Sequence, residues 1–295
     1  MNLPKIICFG EVLWDLLPSG KVAGGAPMNV AFHLNNFGYP TSLISRIGHD
    51  PNGWELMKFL KEKGIDTDLV QTDNFYPTST VKVILGALGS PSYEIVQPVA
   101  WDYINVSLSN TKAVEAAKAI VYGSLAARTE RTRDTLLNLL STETEAVKVF
   151  DVNIRTPFYT RDLLEKLLAK ADIVKMNEEE LALISGWYFG DKDPFDLALK
   201  IKEHFNINIL MITQGGKGAF LVGPANEIKS VRARQIKVAD TIGSGDSFLA
   251  GFLYQYFLGE PLIVCLEFAS RTGALVATMR GATPKIDEDM VVSLR

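Results

Sequence analysis

The segment Val238–Phe248, VADTIGSGDSF, sets three small residues, Gly243, Ser244 and Gly245, between the carboxylates of Asp240 and Asp246. Behind it, Phe248, Leu249, Phe252, Leu253, Tyr256 and Phe257 recur at helical spacing, so a helix begins in or just after the small residues. The first turn of a helix leaves backbone N–H groups unpaired and pointing back along the axis. With no side chains on Gly243 and Gly245, a phosphate can approach those donors, which makes the stretch a candidate anion cradle. Asp246 is the puzzle, because a carboxylate beside an anion site repels the anion. An acidic residue complementing the helix dipole is one reason for it to be there; a chemical role is the other.

These residues need a frame that brings helix N-termini to one place. From about residue 110 onward, short β-rich runs (AIVYGS, AVKVFDVN, DIVKMN, INILMIT) alternate with amphipathic helical runs (TRDTLLNLL, RDLLEKLLAKA, EEELALIS, PFDLALKIKEHF). That alternation predicts an α/β fold, a mostly parallel central sheet with helices on both faces. Ligands of such sheets collect at the C-terminal ends of the strands. Asp151, Asn153 and Arg155 fall at one such end, Asn177 and Glu180 at the next, Thr213 and Gly215 at a third. Near the N-terminus, GGAPMNVAFHLNNFG puts Pro27 at a first helical position, Val30, Leu34 and Phe37 on one face, and Gly38 at the stop. Asn29 then lies in the first turn, behind Gly24 and Gly25.

The stretch 69–104 breaks the rhythm. STVKVIL and SPSYEIV alternate like half-exposed strands around the turn-rich GALGSP. With EVLWDLLPSGKV, it predicts a small β lid from about 12–22 and 69–104, inserted into a single domain that spans 1–295. Lids matter where water must be kept from a reaction.

Composition narrows the partners. The 295 residues carry 30 basic and 34 acidic side chains for a net charge of −4, with no basic block, so a small molecule is expected rather than nucleic acid or a membrane surface. No stretch is long and apolar enough to span a bilayer. Cys8 and Cys265 lie in separate apolar runs without a CxxC pair, as in a reducing, cytoplasmic setting. His33, His49 and His204 have no metal-ligand spacing and read as packing or surface residues. QGGKGA lacks the spacing and hydroxyl of a Walker A loop, so Lys217 reads as a solvated turn lysine.

GGAPMNVA near the N-terminus and DTIGSGDSF near the C-terminus resemble the two signatures of the ribokinase-like, or PfkB, family of carbohydrate kinases. GEVLWDLLP, DVNIR, NEEE and TQGGKGA resemble further family segments in the right order, and GEVLWD, GGAPMN and AWD around Trp101 look most like the bacterial fructokinases. The resemblance implies a ribokinase-like fold, ATP and Mg²⁺, and Asp246 as base on a sugar hydroxyl, with Gly243, Ser244 and Gly245 holding the developing charge. Phosphoryl transfer asks for such alignment and electrostatic stabilisation. It also implies sugar contacts from Asp15, Gly25, Asn29 and Asn153, and a cation near the sugar or phosphoryl group at Arg155, which could instead bridge to Asp151. Asn177, Thr213, Gly215, Gly218 and Gly245 match nucleotide-binding positions. Glu180 matches a Mg²⁺ position acting through water, though NEEE also reads as a helix N-cap. Asp240, Ile242 and Gly281 fall where relatives bind a monovalent cation, making K⁺ a candidate ligand.

One departure lies in the last long helical run, where many family members carry an Asn near the adenine and this chain offers Ser270 and Arg271. That departure bears on nucleotide identity and not on phosphoryl transfer. The motif set as a whole implies an ATP-dependent fructokinase phosphorylating the 6-hydroxyl, with 2-keto-3-deoxygluconate kinase or ribokinase as alternatives. A sugar- or nucleotide-binding regulator without turnover is the reading from another class, and an NAD-dependent oxidoreductase lacks its GxGxxG. Relatives also suggest a homodimer through the lid.

Overall fold

Ile6 and Cys8 of the first strand are buried in one apolar cluster, and Ile7 and Phe9 in another. Successive strand residues point to opposite faces, so a strand apolar at every position needs cover on both sides. The same division holds for Ala119 and Val121 against Ile120 and Tyr122, and for Ile209 and Met211 against Leu210 and Ile212. Two helical layers around one sheet follow.

The computed structural model describes residues 4–17, 20–85, 91–190 and 193–294. Its strands are β1 Ile6–Phe9, β2 Leu13–Leu17, β3 Gly20–Gly24, β4 Thr41–Gly48, β5 Val70–Asp73, β6 Ser79–Leu85, β7 Pro91–Ile95, β8 Ala119–Gly123, β9 Val147–Asp151, β10 Ile173–Asn177, β11 Ile209–Thr213, β12 Gly218–Val222 and β13 Ile228–Arg232. The helices are α1 Ala26–Asn36, α2 Pro51–Glu62, α3 Leu108–Glu115, α4 Glu130–Leu140, α5 Arg161–Leu168, α6 Glu178–Gly186, α7 Pro194–His204, α8 Ser244–Leu258, α9 Leu262–Ala277 and α10 Glu288–Ser293.

Among the described residues the main sheet has the order β13-β12-β11-β10-β9-β8-β1-β4-β5. The strands from β11 to β5 are parallel, and β12 and β13 add an antiparallel edge. α1, α2, α8 and α9 bury their apolar faces on one side of it, α3 to α7 on the other. The register brings strand ends level, with Asp151 opposite Lys175 and Asn177 opposite Thr213. Residues 151 and 175 share the parity of Val149 and Ile173, which face the α8 layer. Both charged side chains therefore emerge under α8.

A second sheet, β3-β2-β6-β7, forms the lid, with β2 parallel to β6 and the two outer pairs antiparallel. Its limits are narrower than the sequence suggests. Val70–Asp73 is the parallel edge strand of the main sheet, not lid. Ala100–Tyr103 forms a 3₁₀ turn whose Trp101 and Asp102 are fully buried in the body. Alternation shows that a strand exists but not which sheet accepts it. Most of the GALGSP turn, and residues 18 and 19 of the first lid segment, lie outside the described residues.

The chain returns from lid to body through a buried ion pair. Arg128 donates from Nε to Asp102 Oδ1 at 2.7 Å and from Nη2 to Oδ2 at 2.8 Å, and a third bond reaches the Val96 carbonyl at 2.9 Å. Its guanidinium lies 4.0 Å from the Trp101 ring centroid. Arg128→Ala leaves Asp102 buried and uncompensated, and unfolding free energy is expected to fall by about 3–5 kcal/mol. A urea midpoint equal to that of the parent protein would show that the pair contributes nothing.

Candidate active site

α8 starts where the sequence places it. Gly243 is its N-cap with φ +75°, and a Cβ there would stand 2.6 Å from the Ala282 backbone, so only glycine fits. The Ser244 amide donates to Thr241 O at 3.2 Å and its hydroxyl to Gly273 O at 3.0 Å. Ser244 is thus spent on holding the loop and docking α9. The amides of Gly243, Gly245 and Asp246 keep no acceptor among the described residues, which leaves them open to an anion, as the expected cradle requires. Ser244, expected among the charge-holding groups, is better described as the residue that sets their geometry.

Asp246 meets α1 here. Asn29 donates its side-chain N–H to Asp246 Oδ2 at 2.7 Å. Gly25, with φ +119°, brings the start of α1 against the Glu11 carbonyl, which an added Cβ would approach to 2.3 Å. Burial pushes the Asp246 carboxyl up to about 6, aided by the charge of Asp151 and opposed by the Asn29 bond, Lys175 and Arg155. Glu11 is pushed to about 7 by burial, against bonds from backbone amides, one of them that of Ala26. Asp15, on the lid strand β2, is raised to about 6 by burial and lowered by Arg155. One exposed arginine thus lies in electrostatic reach of three desolvated carboxyls. Arg155 does not bridge to Asp151; its Nη1 donates to the Ile154 carbonyl at 3.1 Å. Asn153 adopts φ +38°, a conformation Asn tolerates better than most residues, in the same strand-end turn.

Asp151 belongs instead to Lys175, whose ammonium donates to both its oxygens at 2.9 and 3.0 Å. Burial works against the lysine's charge, but Asp151, with Asp246 and Glu180 nearby, holds its pKa above the usual value. A Cβ on Gly245 would lie 3.2 Å from Lys175 Nζ. A full positive charge therefore sits directly beneath the anion cradle.

Thr213, Gly215 and Gly218 line a cavity of about 270 Å³ together with Ser244 and Gly245. Lys217 points away and pairs with Glu178 at 3.0 Å, as a turn lysine should. Asn177 and Glu180 form a capping box, and the second Glu180 oxygen accepts the Ile154 amide at 2.7 Å. Burial raises the Glu180 pKa despite these bonds. A carboxylate retains lone pairs beyond two such bonds, which suits contact with a hydrated Mg²⁺. Among the described residues no cluster of three or more His, Cys, Asp or Glu side chains could hold a metal. Such an ion would depend on phosphate oxygens and water, as Mg²⁺ commonly does.

Asp240 accepts the Ile242 amide and the Gly281 amide, both at 3.0 Å. The three residues expected around a monovalent cation are therefore joined, and the carbonyls of Ile242 and Gly281 have no donor among the described residues. That oxygen-rich set fits K⁺. The neighbouring Ala282 carbonyl is held by His33 Nε2 at 2.9 Å, across a fully buried ring whose pKa burial lowers to about 4. His33 is thus a packing residue with a task, tying α1 to the segment that abuts Gly243.

Sequence reasoning passed over Lys175 and Glu11. Each had a signal: a lysine inside the apolar strand DIVKMN, and a glutamate inside the apolar run IICFGEVLW. Lys175→Met removes the cation that lowers the Asp246 pKa. The Asp246 midpoint, followed by its carboxyl carbon shift, is expected to rise above about 6 in the variant; an unchanged midpoint would take Lys175 out of the charge balance.

The profile described as pfkB family carbohydrate kinase matches residues 18–289. A fructokinase from Klebsiella pneumoniae is 32% identical over 301 residues, covering 94% of this chain and 94% of its own. The crystal structure of an uncharacterized sugar kinase from Pyrococcus horikoshii in complex with ATP superposes with a TM-score of 0.79 at 29% identity, covering 94% of both chains. Fructokinase from Vibrio cholerae O395, in a fructose, ADP and calcium ion bound form, has a TM-score of 0.85 at 23% identity over 100% of this chain and 99% of its own, which speaks for the ribokinase-like fold. With the signature helices, the carboxylate and the anion cradle meeting at the strand ends of that fold, this chain belongs to the pfkB family of carbohydrate kinases and is a phosphotransferase.

Proposed function

We propose that this ATP-dependent sugar kinase is a fructokinase, transferring the γ-phosphoryl group of ATP to the 6-hydroxyl of fructose. The observation that carries the reading is the 2.7 Å bond from Asn29 to Asp246. It fixes one carboxylate between the first turn of α1 and the N-terminus of α8. Asp15, Asn29 and the Gly25 turn hold the sugar, and Asn153 and Arg155 close its strand-end side. The proton of the 6-hydroxyl passes to the Asp246 carboxylate as the oxygen attacks the γ-phosphorus. The bond from phosphorus to the bridging oxygen breaks, and that electron pair leaves with ADP. Charge that develops on the equatorial oxygens meets the Gly243, Gly245 and Asp246 amides, backed by the Lys175 ammonium.

Thr213, Gly215, Gly218 and Gly245 hold the nucleotide in this reading. Glu180, positioned by Asn177, would hold Mg²⁺ through its waters, where the ion neutralises phosphate charge. Asp240, Ile242 and Gly281 would take K⁺ through their oxygens and so fix the loop before α8. The fructokinase relatives at 29% and 32% identity favour fructose over 2-keto-3-deoxygluconate or ribose. The free, buried Cys8 and Cys265 fit a cytoplasmic setting, and among the described residues no helix is long and apolar enough to cross a membrane.

Asp246→Asn is expected to lower turnover of ATP with fructose by about 10²- to 10⁴-fold, the range of general-base assistance, while calorimetric fructose affinity changes little. Equal turnover in both proteins would defeat the assignment, and faster turnover of 2-keto-3-deoxygluconate or ribose would move the substrate. Because the Asp246 pKa is raised to about 6, the base is lost to protonation as pH falls through that value. The kcat/KM for fructose should drop on that acid side.

The lid also has a free edge at β3, whose unpaired backbone groups suit a symmetric partner strand. We assign it a homodimer contact through the lid. Sedimentation at the mass of one chain across micromolar concentrations would remove it.

A further inference from the structure

The cavity lined by Ser244 and Gly245 is also lined by Ala233, Arg234 and Ser270, and by the apolar Ala219, Ile236, Phe248 and Ala274, against which a flat base can lie. Beyond Arg234 and Ser270 a second cavity of about 340 Å³ continues outward, lined also by Arg232, Arg271 and Glu267. A nucleotide whose phosphates rest on the helix amides therefore presents its base edge to Arg234 and Ser270. Neither side chain makes a hydrogen bond or ion pair with the described residues. The nearby Arg271 is partly engaged, donating to the Val292 carbonyl at 3.3 Å.

The guanidinium fork of Arg234 suits a 6-oxopurine better than adenine. A guanidinium only donates. Adenine offers an N7 acceptor but a donor at N6, so one half of the fork faces a like group. A 6-oxopurine offers acceptors at both O6 and N7, the pattern that arginine pairs with in two parallel bonds. The Ser270 hydroxyl donates or accepts and so tolerates either edge. Glu267, the one carboxylate lining the outer cavity, is exposed, as Arg234 is, and the two form no ion pair.

Building on the phosphate-donor reading above, we infer that the base end of this site accepts 6-oxopurines, so that GTP and ITP serve as phosphoryl donors alongside ATP, with Arg234 as the selecting residue. ITP shares O6 and N7 with GTP but lacks its 2-amino group, which isolates the edge in question.

The test measures ADP, GDP and IDP affinities by calorimetry and kcat/KM for ATP, GTP and ITP with fructose, in the parent protein and in Arg234→Ala. GTP and ITP are expected within about tenfold of ATP in the parent. In the variant both should fall relative to ATP by about fivefold or more, the lower limit for one bidentate pair, because ATP loses at most the single bond to N7. GTP and ITP each more than about a hundredfold poorer than ATP, a range one such pair can span, would overturn the inference; so would a GDP-to-ADP ratio that Arg234→Ala leaves unmoved. Normal turnover of ATP with that unmoved ratio sinks only the base assignment. A shifted ratio in the absence of any turnover sinks only the kinase reading.

Discussion

A partly buried carboxylate held against the amide end of a helix is the constraint around which this molecule is arranged. Asp246 is repelled by Asp151 and desolvated, and only the Asn29 bond, Lys175 and Arg155 work in the other direction. None of those three lies on its own helix. The carboxylate is kept near the ionised form by a side chain from α1, another from β10 and a third from the turn after β9. Three separate segments must arrive together for it to function, and the parallel sheet makes them do so by setting its strand ends level.

The buried pair beneath it follows from strand parity. Lys175 and Asp151 stand opposite each other in register and point to the same face. An unpaired buried charge there would be costly, whereas the pair leaves a cation exposed to the cradle alone. Gly245 keeps the space above Lys175 clear. The glycines of the loop thus serve two ends at once: they open amides to a ligand, and they let a charge from the sheet approach from below.

Much of this was readable in the residues. The parallel strands β8 to β11, the helices between them and the start of α8 follow from periodicity, because each is strongly patterned and ends on polar residues. Asp246, Asn29 and Thr213 follow from their places at strand ends or in first turns. What escaped were facts of pairing. Val70–Asp73 has the look of a lid strand, and only its hydrogen bonds to β4 assign it to the body. The lid's two distant segments could be grouped from their alternation, but not the parallel pairing of β2 with β6 around a detour through α1, β4, α2 and β5. Ser244 looks like a phosphate donor until its hydroxyl is seen on Gly273. Lys175 and Glu11 look misplaced within apolar runs until the charges that surround them are known.

The distribution of charge also sets direction. Glu11, Asp15 and Asp246 face the space between lid and α1, where a neutral polyol can satisfy carboxyl oxygens with its hydroxyls. Lys175 Nζ lies beneath Gly245, which with Ser244 lines the cavity on the other side, where a polyphosphate finds donors. A nucleotide entering from the lid side would bring its negative charge against three carboxyls. A sugar in the nucleotide cavity would meet apolar walls that its hydroxyls cannot use. Asp246 alone touches both territories, because its backbone belongs to the cradle and its side chain to α1. In the reading proposed above, the transferred group crosses at that residue, whatever sugar and whatever purine stand on either side of it.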